Sequence, residues 1–408
     1  MNVRDPLTAT HLLPRGSSQG GLRQYNERVV LQAIRLHGAL PSAEIARVTR
    51  LTAQTVSLIT KRLIDDGLLK KGLPQRGRVG QPSVPLSLDP DGAYAIGIKI
   101  GRRSMDVLLV DFTGHARQRW TLEYRFADPD ALLAEISLRL KDVRRKLGPA
   151  QRERIQGVGI AAPLAMGGWQ QLLGLPAQVA DQWNRIDLCA EVSQLTELPV
   201  ELIKDTAAAC VAELVAGRGR SVKSFLYVFV DTFIGGGLVL DSHLRGGISG
   251  NAGAIGSLPL WLAKSDRDSP PAQLLSVASL LNLEQRYAAA GLEAAAAGDA
   301  RALQKPWLAH TKRWIDEAAA AIALSIDSAA CLLDLEGVIL DGSFSRELLA
   351  ALLQQTQACL ARYSWEGVAR PELLAGTIGS DARALGGALL PLYANFAPDR
   401  DLFLKVGA

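Results

Sequence analysis

The chain has 408 residues, 48% of them hydrophobic and 21% charged, with a formal net charge of +4. That length exceeds one ordinary core, and that composition excludes a disordered or fibrous chain, so two or three globular domains are expected. No uncharged apolar run approaches the roughly 20 residues that span a bilayer. The first twenty residues, which include Arg4, Asp5 and Arg15, lack the apolar core of a signal peptide, so a cytoplasmic protein with no membrane contact is expected.

The small net charge hides an asymmetry. Residues 1–90 hold 13 Lys/Arg against 6 Asp/Glu, and the remainder holds 32 against 35. A basic amino-terminal module on a slightly acidic body is the electrostatic pattern of a nucleic-acid reader fused to something else. Cys189, Cys210, Cys331 and Cys359 have no CxxC-like spacing, so neither a zinc site nor a disulfide framework is expected.

Residues 1–21 read as a flexible leader ending in a Gly/Ser-rich run. Residues 22–88 read as one module. Leu22, Tyr25, Val29, Val30, Ala33 and Ile34 recur at helical spacing until Gly38. A short helix starts at Pro41-Ser42, and a third runs from about Thr52 to Asp66, where Gly67 ends it. Strand, Gly/Pro-rich loop and strand follow to Leu88, which makes a winged helix-turn-helix. From 89 to 408 strand and helix signals alternate. Strands are expected at 95–100, 107–112, 155–161, 200–203, 225–230, 236–240 and 338–340. Helices are expected at 129–147, 206–216, 272–335, 346–362 and 382–395. This alternation argues for an α/β body. No internal repeat is visible.

The third helix turns Val56, Ile59 and Leu63 inward and leaves Thr52, Gln54, Thr55, Ser57, Lys61 and Arg62 for solvent or DNA. Short polar side chains at the start of such a helix suit base edges, and cations further along suit phosphates. Between the two strands, Arg76, Arg78 and Gln81 lie in a slim cationic segment suited to phosphates or a narrow minor groove. The plainer alternatives are a solvated helix face and a basic linker. The partner expected is a double-stranded DNA operator.

Five segments behind this module carry a resemblance: Gly97–Gly101, Gly157–Pro163, Lys204–Ala209, Ile234–Gly237 and Gly246–Gly253. With the helix-turn-helix before them they resemble the ROK family, which unites sugar-responsive repressors and sugar kinases. The resemblance implies an α/β fold in which an N-terminal winged helix-turn-helix precedes a two-lobed, actin-like (ribonuclease-H-type) body with a sugar cleft.

Departures from the family pattern decide the expected activity. Family kinases carry an Asp for metal and phosphate where this chain has Lys99, and an ammonium cannot coordinate magnesium. Lys99 with Arg102 and Arg103 suits an anion, or Lys99 simply points to solvent or pairs with a nearby acid. Ala254 and Ser257 replace the family's Glu and His, and the Cys-rich zinc loop is absent. Neither a metal nor a cofactor is expected, and no catalytic residue.

The family's general-base Asp survives as Asp205, which can equally bind ligand hydroxyls or act as a helix N-cap. Lys204 stands where the family has Asn. Asn251 lies in a Gly-rich loop and can donate and accept to a sugar. Trp183 reads as a core residue, with Asp181 and Gln182 beside it as further ligand candidates. Asp341, in place of a Gly-Gly turn, would face a nucleotide unfavourably. The expected ligand set is therefore Asp205, Lys204, Asn251, Ser257, Asp181 and Gln182. The expected protein is a homodimeric or homotetrameric repressor answering to a sugar or sugar phosphate, with an active sugar kinase as the alternative.

Overall fold

The structure is a computed structural model, and it describes residues 19–74, 83–164, 166, 174–261 and 271–398. Helix α1 (Gln19–His37) buries Val30, Leu31 and Ile34 and stops at Gly38, whose φ of +79° suits glycine. After the short strand β1 (Leu40–Pro41) come α2 (Ser42–Thr49) and α3 (Ala53–Asp65). Val56, Ile59 and Leu63 are the buried stripe of α3, as their spacing predicts. Strands β2 (Leu69–Lys71) and β3 (Pro85–Leu88) form the wing, and β1 joins them in the order β1-β3-β2, a third strand too short to read from sequence.

The body begins with β4 (Tyr94–Ile100), β5 (Ser104–Asp111) and β6 (Ala116–Glu123), then α4 (Pro129–Lys146), β7 (Ile155–Ala162), α5 (Ala177–Trp183), β8 (Val200–Lys204) and α6 (Asp205–Ala216). The second half runs β9 (Phe225–Val230), β10 (Gly235–Leu240), β11 (His243–Arg245), α7 (Leu280–Ala289), α8 (Leu308–Leu333), β12 (Gly337–Gly342), α9 (Arg346–Leu360), β13 (Glu372–Ala375) and α10 (Ala382–Phe396). The sheets have orders β6-β5-β4-β7-β8 and β11-β10-β9-β12-β13. In each, three antiparallel strands continue into two parallel ones. The body thus repeats one topology as two lobes, although no repeat shows in the residues. The single helix expected over 272–335 is broken: Gly291 takes a φ of +73°, and short turns separate α7 from α8.

Helix α10 returns to the first lobe and packs on β4, β7 and α6 through residues without bulk. A Cβ on Gly386 would lie 1.7 Å from the Ala208 carbonyl oxygen, and one on Gly97 2.6 Å from the Ala388 Cα. The winged module shares this core. Val30, Ile34, Leu63 and Leu86 belong to one apolar cluster with Phe112, Leu389 and Leu392 of the body. Phe396 meets Phe112 edge-on at 4.7 Å. Arg220 donates to the carbonyls of Arg35 (2.8 Å) and Leu36 (2.6 Å), and Arg154 to that of Gly67 (3.3 Å). Burial, with Arg220 nearby, lowers Arg35 to about 10, although Asp111 opposes this. No helix of the described residues is long and apolar enough to cross a membrane.

Candidate effector cleft and DNA-reading helix

The lobes enclose a cleft of about 680 Å³. Its first-lobe wall is the β4–β5 turn (Gly101, Arg102, Arg103), the segment after β6 (Tyr124, Arg125, Phe126) and Trp183 of α5. Its floor is the junction of β8 and α6, with Lys204 and Asp205. The second lobe contributes Asp231 to Gly235, Asn251 and Ser257. Four of the six expected ligand residues therefore converge: Lys204, Asp205, Asn251 and Ser257. Asp181 and Gln182 do not line the cleft. The α5 helix turns Trp183 inward instead, its indole donating to the Ala127 carbonyl at 2.7 Å, and Asp181 is exposed.

Asp205 is the first residue of α6 and accepts the Thr206 amide at 2.9 Å. Burial pushes its carboxyl above the ordinary value, against the pull of Arg383. Lys204 donates to the Asn251 amide oxygen at 2.9 Å, a link from β8 to the second lobe. Burial lowers the Lys204 ammonium, and Asp205 opposes that.

Two residues at the centre of this cluster escaped the sequence reading. Arg383, in the first turn of α10, lies 2.5 Å from Asp231 and 3.6 Å from Asp205. Burial works against its charge, but the two carboxylates outweigh burial and hold the guanidinium above its ordinary value. Its Nε is buried without a hydrogen-bond partner. The only signal in the sequence is a lone arginine among small residues at the start of a helix.

Lys99 is buried and donates to Ser104 Oγ (2.8 Å) and Asp106 Oδ2 (3.2 Å), so the pairing alternative holds. Burial, then Arg383, lowers its ammonium, and Asp106 opposes them. Lys99 thereby drops out of the expected anion site, and Arg102 and Arg103 both turn to Glu284 on α7, at 3.1 Å each. Asp341 is corrected too. Instead of facing a nucleotide it is fully buried, accepting the amides of Gly342 (2.9 Å) and Gly379 (2.7 Å) and the Arg346 guanidinium (2.8 Å). Among the described residues no three His, Cys, Asp or Glu side chains converge as a metal site.

On α3 the expected DNA-facing residues divide. Gln54, Ser57 and Lys61 are exposed on one face. Thr52 is the N-cap: its hydroxyl accepts the Thr55 amide at 3.2 Å and bonds the Thr55 hydroxyl at 2.8 Å, so both threonines serve the helix start. Arg62 leans back to Glu27 of α1 (3.5 Å) and to Asp66 (3.7 Å), away from a free phosphate-facing role. Leu58, two-thirds exposed, lies on the face of Gln54, Ser57 and Lys61 and was not anticipated. Arg76, Arg78 and Gln81 lie outside the described residues.

These features define a class: a winged DNA-binding module fused to a two-lobed, actin-like sugar-kinase-type body. Residues 23–70 match the winged helix-turn-helix DNA-binding family model, and residues 95–393 match the ROK family model. The chain belongs to the ROK family. It is 25% identical over 235 residues to the xylose repressor of Caldicellulosiruptor bescii, a stretch covering 58% of each protein. Among solved structures it resembles a ROK family transcriptional regulator homologous to the Escherichia coli MLC protein (TM-score 0.65, 20% identity, 92% of this chain and 98% of that one). It also resembles a ROK family glucokinase from Streptomyces griseus, whose structure holds glucose and AMPPNP (TM-score 0.58, 20% identity, 73% and 99%).

Proposed function

We propose that this protein is a cytoplasmic transcriptional repressor that binds a double-stranded operator as a homodimer or homotetramer and releases it when a sugar or sugar derivative fills the cleft. One observation carries the reading. Helix α10 begins in the cleft with Arg383 and ends against α1 of the winged module, where Arg28 donates to the carbonyl of its C-cap residue Ala397 at 3.3 Å. A ligand that draws Asp205 or Arg383 into new bonds acts on the start of a helix whose far end supports α1. Operator release follows if the ligand favours one lobe arrangement over another, since equal affinity for both shifts nothing. Asp205 and Asn251 supply acceptor and donor groups for hydroxyls. Gln54, Ser57 and Lys61 supply base and phosphate contacts, with Arg76, Arg78 and Gln81 in the adjoining loop.

Fluorescence anisotropy with DNA from upstream of the protein's own gene, with and without a panel of sugars and sugar phosphates, tests this. Specific binding weakened by one compound is the expected result. Binding only to any DNA at low salt overturns it.

A second reading, an ATP-dependent sugar kinase, draws on Asp205 alone, which stands in the cleft where a general base would. Lys99 opposes it, since an ammonium held by Ser104 and Asp106 cannot coordinate a metal. ATP turnover with a hexose, lost on Asp205→Asn, would establish that reading.

A further inference from the structure

Arg102 Nη1 and Arg103 Nη2 donate to the same oxygen, Oε2 of Glu284. The two arginines follow β4 in the first lobe, and Glu284 belongs to α7 in the second. One carboxylate therefore bridges the lobes while neutralising only one of two guanidinia. Arg125 lines the same wall, its guanidinium 5.1 Å from the Phe126 ring centroid. Among the described lining residues five cations (Arg102, Arg103, Arg125, Lys204, Arg383) face two carboxylates, Asp205 and Asp231. Asp231 is committed to Arg383. The positive excess is therefore concentrated on the wall of Arg102, Arg103 and Arg125, in the same cleft as Asp205 and Asn251.

We infer that the effector is an acidic sugar, a polyhydroxylated body with a phosphate monoester or a carboxylate, and that its anionic group takes Arg102 and Arg103 away from Glu284. This rests on the effector reading of the cleft. Guanidinium forks match both anions in a bidentate way, and exchanging one carboxylate for another anion keeps the arginines paired throughout. The exchange breaks a contact that spans the lobes, so recognition of the acid and change of the lobe arrangement become one event. Lys99 takes no part, because Ser104 and Asp106 already hold it.

The test uses the full-length protein and inorganic phosphate as probe, with chloride at matched ionic strength as control, read by thermal shift. Saturable stabilisation by phosphate is expected in the wild type. Binding tightens by roughly tenfold in Glu284→Gln, where the competing charge is gone, and is lost in the Arg102→Gln, Arg103→Gln double variant. Phosphate that stabilises no more than chloride, or equally in all three proteins, overturns the inference. Operator release is then compared for glucose, glucose 6-phosphate and glucuronate and for further such triplets. Release by phosphorylated members alone or by uronates alone supports the inference and names the anion. Release by neutral sugars alone leaves the effector cleft standing and sinks the acidic effector, whereas phosphate binding without release by any triplet supports the anion site and sinks the repressor reading.

Discussion

Arg383 stands between Asp205 and Asp231 in the cleft, and Arg346 stands against Asp341 at the end of β12. The residue types are the same and the surroundings are opposite. Both Asp341 oxygens are occupied, and a Cβ on Gly376 would lie 2.5 Å from the Asp341 side chain, so nothing else can enter. The Arg383 cluster opens on a cavity of about 680 Å³ and leaves one guanidinium nitrogen without a partner. A closed cluster holds a loop in place. An open one can trade its internal bonds for those of a ligand, and that trade is what a sensor requires.

The sharpest way to break the comparison is Asp341→Ala. It orphans the Gly342 and Gly379 amides and the Arg346 charge, and urea unfolding should register a loss of about 3–5 kcal/mol, with effector affinity of the folded protein unchanged. Arg383→Met should be milder for stability, roughly 1–3 kcal/mol, because cleft water can hydrate the two carboxylates. Its main effect should be on signalling: anisotropy should show operator binding that no effector weakens. If release survives in Arg383→Met, the open cluster is structural after all.

The pH dependence sharpens the contrast further. An ionised Asp205 accepts ligand hydroxyls, and its folded-state pKa is raised above 3.8 by burial. Effector affinity should therefore fall as the pH drops through that raised value, and calorimetry on Asp205→Asn should find the dependence gone. The same raised value means that stability in the absence of effector improves as the pH falls through it towards 3.8, since in that window the folded state binds the proton and the unfolded chain does not. The smallest effect is expected far from both clusters. Lys61→Ala should lower the log–log salt slope of operator binding by about one unit without changing sequence preference, and an unchanged slope would move that side chain off the DNA.

The periodic parts of the chain were legible. Val56, Ile59 and Leu63, with Gly67 as a stop, gave α3 to within a residue or two, and Phe225–Val230 was read to its bounds. Strand β6 was missed because Ala116–Glu123 is an edge strand, half exposed and rich in arginine and glutamine. The cleft was legible where its residues sit together in short Gly- and Ala-rich motifs, as Lys204-Asp205 and Asn251 do. It was illegible where partners meet across the chain. Nothing local says that Arg383 will reach Asp205 and Asp231, or that Glu284 will gather Arg102 and Arg103. Thr52 and Arg62 show the same limit in reverse: their spacing suggests side chains turned freely outward, but a cap and a Glu27 contact engage them.

The apolar cluster that runs from α1 into α10 bears on how such regulators can be recombined. A reading head joined by a free tether could be cut off and grafted onto another sensor. Here Ile34, Leu63 and Leu86 lose their cover when Phe112 and Leu392 are taken away, so a graft must carry the matching face of the body with it. Portability of the DNA specificity is set at that seam, and a chimera that keeps both of its sides should inherit the operator of one parent and the effector of the other.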